Sequence, residues 1–408
     1  MTTLLLTMHG IKRKTFTKEE LLKKQAKDAP KIQKYRTLTD SVLDKQLNSS
    51  YNQESFDLTT KLLNLNPELY TIWNFRRDIL SNFTFKQINN NDDNEGNNNK
   101  LIMKIIEDDL SFTVEQLYKF PKCYWIWDHR KWLLKLNNLT NLKNELKLIH
   151  VFFQSDSRNY HVWQYRRYII ELIINRIKST TSSSTAKNVE IIDEKISLIN
   201  FNEFLFTTSM INKDISNYSA WHNRSQLIEK LIIQSPISLN DSIEEPINKD
   251  KSINLKQIEI DEWFEIFKLN NINDKKFKFL TKELNYINNA IFTDPDDSSV
   301  WIYMKWLFSN YFLKDLKNFE ILKLINSDLN NINELNELEL EDNNIENKWC
   351  LQLQFYLLNI LYKNKITNNV DGDNENKELI ELKIKLDSIL KKMSSIDTLR
   401  VNRYLEYF

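Results

Sequence analysis

Glycine is almost missing: the chain has three, Gly10, Gly96 and Gly372, in 408 residues, where ordinary usage is about 7%. Tight hairpin turns and phosphate-cradling loops are built on glycine. Three so widely spaced cannot form a dinucleotide fingerprint, a P-loop or a G-x-S-x-G elbow. Proline is scarce too, at six. Strand-rich and doubly wound folds are therefore excluded, and a helical chain is expected. Two cysteines, Cys123 and Cys350, cannot make a Cys-rich zinc site and suit a reducing compartment. The five histidines include no H-x-x-x-H pair. An excess of one charge is also lacking, since 56 Lys+Arg balance 56 Asp+Glu. Neither nucleic acid nor an anionic membrane would be held by charge alone. No run approaches the ~18 uncharged apolar residues of a membrane span, and the start, Met1-Thr-Thr-Leu-Leu-Leu, has no basic leader region. A cytoplasmic protein is expected.

What is present is aromatic and periodic. Hydrophobic residues make up 41% of the chain and aromatics 12%, enough for a large core. One element recurs: Tyr70-x-x-Trp73-x-x-Arg76, Tyr124-x-x-Trp127-x-x-Arg130, Tyr160-x-x-Trp163-x-x-Arg166 and Tyr218-x-x-Trp221-x-x-Arg224. Composition alone predicts roughly 0.01 such triplets, so four copies are an internal repeat. A degenerate fifth copy, Asp294–Trp301, carries Met304 in place of arginine. Three-residue spacing lays Tyr, Trp and Arg along one helix face. Just upstream, Asn66-Pro67, Asp156, Asp214 and Asp294-Pro295 read as helix N-caps. Before each comes a second amphipathic stretch, such as Leu142, Leu146, Ile149 and Phe153. Each unit is a helical hairpin.

Trp-to-Trp gaps of 54, 36, 58 and 80 reduce to a period of roughly 36–46 once polar runs are set aside, the range of helix-pair solenoids. The expected organisation is a single helical-repeat domain over 1–408. Its repeat cores lie near 55–82, 101–136, 141–174, 197–233 and 275–312, with a C-terminal capping unit at 377–408. Polar inserts at 87–100, 179–185, 234–256, 327–347 and 363–377 are placed as exposed loops.

Within the repeat, Trp73, Trp127, Trp163, Trp221 and Trp301 read as core. Arg76, Arg130, Arg166 and Arg224 would satisfy carbonyls or carboxylates of the next repeat. The tyrosines open their helices beside unpaired N–H groups, where an anion is welcome. Lys122 and Arg158 sit at helix starts, where the dipole disfavours a cation, and hint at an anionic partner. From composition and periodicity alone the chain is a helical-repeat scaffold with no catalytic centre of its own.

At these residues the sequence resembles the α subunits of protein prenyltransferases. The motifs that carry the likeness are Asn66–Arg77, Lys122-x-Tyr124-x-x-Trp127-Asp128-His129-Arg130 and Asp156-x-x-Asn159-Tyr160-His161-x-Trp163. Met8-His9-Gly10-Ile11-Lys12-Arg13-Lys14 is similar to the start of the Rab (type II) geranylgeranyltransferase branch. The acidic, Trp-containing entry segment of farnesyltransferase α subunits is missing, as are the immunoglobulin-like and leucine-rich domains of animal type II subunits. A compact, fungal-type form is expected.

The resemblance implies an all-α fold, an α-α superhelix: a right-handed crescent of helical hairpins wrapped around a β subunit. That prenyltransferase β subunit would hold the catalytic zinc and the prenyl pocket, this chain binding no cofactor alone. The pair would move geranylgeranyl from geranylgeranyl diphosphate to C-terminal cysteines of Rab GTPases presented by a Rab escort protein. By motif position Lys122, Tyr124 and Tyr160 would stabilise the charge that builds on diphosphate as the C–O bond breaks. Two other readings remain: the α subunit shared by farnesyl- and type I geranylgeranyltransferases, and a non-enzymatic scaffold resembling tetratricopeptide proteins.

Overall fold

The computed structural model describes residues 16–91, 95–136, 142–179, 186–233, 254–368 and 373–405. The Met8–Lys14 segment and most of inserts 179–185 and 234–256 lie outside these. The described residues form helices and short turns, with no strand among them. By packing the chain divides into two compact units, Met1–Glu171 and Leu172–Phe408.

The first unit holds α1 (Lys18–Leu47), α2 (Gln53–Leu65), α3 (Tyr70–Ile79), a π turn (Leu80–Thr84), α4 (Phe85–Asn91), α5 (Glu95–Lys119), α6 (Tyr124–Leu136), α7 (Leu142–Ser155) and the start of α8 (Tyr160–Ser179). The second holds the end of α8, then α9 (Ala186–Lys213), α10 (Tyr218–Ile233), α11 (Gln257–Phe267), α12 (Ile272–Thr293), α13 (Ser298–Leu307) and α14 (Asn310–Leu313). It ends in α15 (Asn318–Asn343), α16 (Lys348–Asn368), α17 (Asp373–Ile396) and the short α18 (Val401–Leu405). With glycine so scarce, two other residues among those described take the left-handed backbone: Ser49 at φ 49° and Asn344, which ends α15, at φ 57°.

Each hairpin closes on a four-residue turn, at 66–69, 120–123, 156–159, 214–217 and 294–297. The residues read from sequence as N-caps begin these turns instead. The N–H groups of Asn66, Asp156, Asp214 and Asp294 close the preceding helix, bonding Leu62, Phe152, Met210 and Ala290 carbonyls. In three of these turns the next helix is capped three residues later, while Leu69 gives α3 no side-chain cap. Asn159 accepts from His161 N–H (3.0 Å), Asn217 from Ala220 (3.2 Å) and Asp297 from Ser299 (2.7 Å). Short Asx side chains suit both positions, which is why the sequence pattern alone misplaced the cap.

The tryptophan then locks the turn. Its indole N–H donates to the carbonyl six residues back: Trp73 to Pro67, Trp127 to Pro121, Trp163 to Ser157, Trp221 to Ile215 and Trp301 to Pro295, at 2.7–3.0 Å. All five rings are at most 3% exposed.

Arginine ties neighbouring hairpins. Nη1 of Arg76 donates to the Thr59 and Thr60 hydroxyls of α2, while Nε and Nη2 grip Asp109 of α5 at 2.9 and 2.6 Å. Arg130 likewise bonds Thr113 in α5 and both oxygens of Glu145 in α7, and Arg224 bonds Thr208 in α9 and both oxygens of Glu283 in α12. The residue two past the next tryptophan completes each site. His129 Nε2 lies 2.7 Å from Asp109, and the hydroxyls of Tyr165 and Tyr303 donate to Glu145 and Glu283 at 2.7 and 2.6 Å. Burial alone would raise the Asp109 carboxyl, but Arg76 and His129 hold it well below the usual range.

The sequence reading missed a sixth hairpin. Residues 327–343, expected within a polar loop, belong to α15, because Ile321, Leu324, Ile325, Ile332 and Leu335 form a buried helical stripe among the asparagines. The Asn-rich stretch at 87–100 is also helical where described, in α4 and the start of α5. So is most of 363–377, which α16 and α17 take up outside 369–372. A four-residue turn, 344–347, leads to α16, capped by Asn347 accepting from Trp349 N–H at 2.9 Å.

Between hairpins five and six the whole clamp is gone. Met304 stands for the arginine and Leu353 for the tyrosine, both buried. The acid position, 18 residues before the tryptophan in Asp109/Trp127, Glu145/Trp163 and Glu283/Trp301, is here Asn333, with Leu351 at the Trp position. Asn333 accepts instead from Gln354 (2.8 Å).

Two outcomes are expected. Arg224→Met alone strands buried Glu283 and should cost about 3–5 kcal/mol. The triple change Arg224→Met, Glu283→Asn, Tyr303→Leu copies the natural apolar junction and should recover most of that loss in urea unfolding. An equally unstable triple variant would refute the clamp account.

The second outcome concerns Asp328 of α15. Burial pushes its carboxyl up to about 6, opposed by the Asn288 amide donating at 2.7 Å. The folded value lies above the ~4 of an unfolded aspartate. Its stabilising contribution is thus complete below pH ~4 and is lost as pH rises through about 6. Asp328→Asn should flatten that decline, gaining on the order of 2 kcal/mol at pH 7 relative to pH 4. Unfolding curves that shift in parallel at both pH values would contradict it.

Candidate functional site

The candidate residues all lie in the first unit, where three helix starts come together. Tyrosine is the first residue of α3, α6 and α8, so each ring emerges at the turn end while the Trp three positions on is drawn inward by its bond to the turn. Tyr70, Tyr124 and Tyr160 are 51%, 42% and 59% exposed. They belong to one aromatic row. Tyr70 packs on Trp125 (5.0 Å between ring centres) and Trp125 on Tyr124 (5.4 Å). His161 then stands between Tyr124 (6.1 Å) and Tyr160 (5.9 Å).

Lys122 sits two residues before Tyr124, half-exposed. Its Nζ lies 3.1 Å from Oδ2 of Asp156, in the turn that leads to α8. Oδ1 of the same carboxylate accepts from the Arg158 N–H at 3.0 Å. The anion that answers this helix-start cation is therefore present in the chain itself. The charge pattern alone does not require an external partner. A half-exposed pair of this kind is worth about 0–1 kcal/mol, so a better anion can displace Asp156.

Between Lys122 and Tyr124, Cys123 turns inward. It is buried, its sulfur 3.4 Å from the Pro67 carbonyl, and burial pushes its thiol up to about 11. It is no nucleophile.

Sequence reasoning passed over His161. Its backbone N–H is taken by Asn159, and its ring Nδ1 is buried without a hydrogen-bond partner. Burial lowers its pKa; Glu68 opposes that, and Lys122 and Lys131 add to it. Its place directly after Tyr160 in the quoted motif was the available signal.

Lys122, Tyr124 and Tyr160 thus gather an exchangeable ammonium and two exposed phenols around the His161 ring. Such a set can hold and stabilise an anion with several oxygens. Among the described residues no group of three or more His, Cys, Asp or Glu is placed to hold a metal ion.

The family model described as Protein prenyltransferase alpha subunit repeat matches residues 52–83, 106–137, 142–173, 201–231 and 280–311. Geranylgeranyl transferase type-2 subunit alpha of Candida albicans is 35% identical over 409 residues, covering 98% of this chain and 96% of that protein. The protein of the same description in Saccharomyces cerevisiae is 33% identical over 402 residues, covering 98% of each. Among solved structures, Candida albicans protein geranylgeranyltransferase-I complexed with GGPP aligns at a TM-score of 0.48 and 18% identity, over 91% of this chain and 88% of that one.

The site geometry makes its own prediction. Lys122 is one of the charges that disfavour protonated His161, so Lys122→Ala should raise the His161 pKa and Glu68→Gln should lower it. Titration of the His161 ring protons by NMR reads both. A value unmoved by either change would separate Lys122 and His161.

Proposed function

Because the chain belongs to the protein prenyltransferase α-subunit family, we propose that it is the α subunit of a Rab geranylgeranyltransferase, active as a heterodimer with a β subunit. The observation that carries this is near-complete coverage, in both directions, of relatives described as type-2 α subunits. The reaction breaks the C1–O bond of geranylgeranyl diphosphate and forms a C–S bond to a C-terminal cysteine of a Rab GTPase, diphosphate leaving. A Rab escort protein presents the substrate. No helix among the described residues is long and apolar enough to cross a membrane, which agrees with a cytoplasmic enzyme.

In this reading zinc belongs to the β subunit, and no step runs through a metal in this chain. Its own share is electrostatic. Lys122 exchanges Asp156 for a diphosphate oxygen, and Tyr124 and Tyr160 donate hydroxyls on either side of the His161 ring. Each contact strengthens as negative charge builds on the leaving group.

Co-expression with candidate β subunits, followed by prenylation assays on Rab and on CaaX-ending substrates, tests the assignment. Transfer to Rab with the type II β subunit is expected, and activity from this chain alone would overturn the heterodimer. Within the assembled enzyme, Lys122→Ala should slow single-turnover transfer roughly 100- to 1000-fold. Tyr160→Phe should cost less, since a neutral hydroxyl contributes less than a charge. A Lys122→Ala rate within about threefold of wild type removes Lys122 from the site.

A further inference from the structure

The second unit holds a cavity of about 410 Å³ between α13, α16 and the chain segment that ends in α18. Its volume falls within the ~300–1,000 Å³ of small-molecule sites. Trp301, Trp349 and Tyr356 supply aromatic walls, and Lys305, Arg400 and Arg403 stand among the lining residues. One side is braced. The Gln352 amide donates to the Tyr404 hydroxyl (2.9 Å), which donates to Asp397 Oδ2 (2.7 Å), and the same oxygen holds Arg400 (2.7 Å).

The remaining cations of the lining are Lys305 and Arg403. In the first unit Arg77, four residues past its tryptophan, is neutralised by Asp128, one residue past the next tryptophan, at 2.8 Å. Between hairpins five and six the same two positions hold Lys305 and Gln352, as Lys131 and Gln164 do between hairpins two and three, and Gln352 is neutral and committed to Tyr404. Among the described residues Lys305 has no carboxylate partner and lies only over the Tyr356 ring, at 4.9 Å, and Arg403 has none either. The cavity therefore pairs apolar aromatic walls with two uncompensated cations.

We propose that this cavity binds a small amphiphilic anion, its apolar body against Trp301, Trp349 and Tyr356 and its phosphate or carboxylate head at Lys305 and Arg403. The aromatic faces supply contact area and the cations fix which end enters. This holds independently of the catalytic assignment, since none of these residues belongs to the Lys122 site.

The test is calorimetric titration of the β-subunit complex with octyl phosphate, octanoate and neutral octanol. Saturable binding of octyl phosphate or octanoate is expected, with octanol at least about tenfold weaker; the tighter of the two anions identifies the head group. Lys305→Glu with Arg403→Glu in the same complex should weaken the anion at least about tenfold, and any binding in the β subunit persists as background. Should that variant fold poorly, Lys305→Gln with Arg403→Gln, checked by an unchanged melting temperature, replaces it. Failure of both anions to saturate, equal binding of octanol, or binding indifferent to the charge changes would each overturn the proposal.

Discussion

The buried arginine–carboxylate clamp is the constraint on which the rest of the structure depends. Helices packed ridge into groove tolerate sliding, because apolar contacts have no fixed length. A guanidinium that must satisfy two threonine hydroxyls, or one and a backbone carbonyl, on one side and a carboxylate on the other does not. Arg76, Arg130 and Arg224 each meet the same demand with partners at the same register. The acid is in turn closed by His129, Tyr165 or Tyr303. Such a pair need add little net stability over an apolar core, but half of one is costly, so the network forbids wrong registers more than it strengthens the right one. Register fixed in this way carries through the indole-to-turn bond to the helix starts. The alignment of Tyr70, Tyr124 and Tyr160 beside Trp125 and His161 is its end product.

The junction of hairpins five and six shows the alternative within the same chain. There arginine, acid and donor are replaced together by Met304, Asn333 and Leu353. No charge is left unpaired at these positions, as the energetics of half-clamps require. Specification passes to weaker devices: the Gln354–Asn333 bond and the apolar cluster of Leu351, Phe355, Leu386, Leu390, Met393 and Tyr404. The same part of the second unit holds the cavity and the perturbed Asp328 carboxyl.

Much of this was legible in sequence because the repeat's chemistry is carried by conspicuous residues. Tryptophan, tyrosine and arginine at fixed spacing announced five hairpins, their core and the exposed helix starts. The sixth was illegible for the complementary reason. Without Trp, Arg or the acid, only the Ile321, Leu324, Ile325, Ile332 and Leu335 stripe marked it, diluted by asparagines that read as a loop. Helix caps were misplaced by three residues because asparagine and aspartate serve equally at the end of one helix and the start of the next. In the site, Lys122 and the tyrosines were visible by motif. The Lys122–Asp156 pair and the orphaned His161 nitrogen were not, since both depend on which turns become neighbours in space.

The scarcity of glycine also bears on how this chain could handle an anion. Glycine-rich loops surround a phosphate with backbone N–H groups and partly exclude water by themselves. A chain with three glycines must use side chains at helix starts, where Lys122, Tyr124 and Tyr160 stand open to solvent. Exposed donors bind an anion weakly, because water competes for every bond and screens the ammonium. Their electrostatic effect becomes large only when a second surface covers them and removes that water. The openness of the row therefore fits a half-site. In the chain as it stands, the Lys122–Asp156 pair keeps the cation placed.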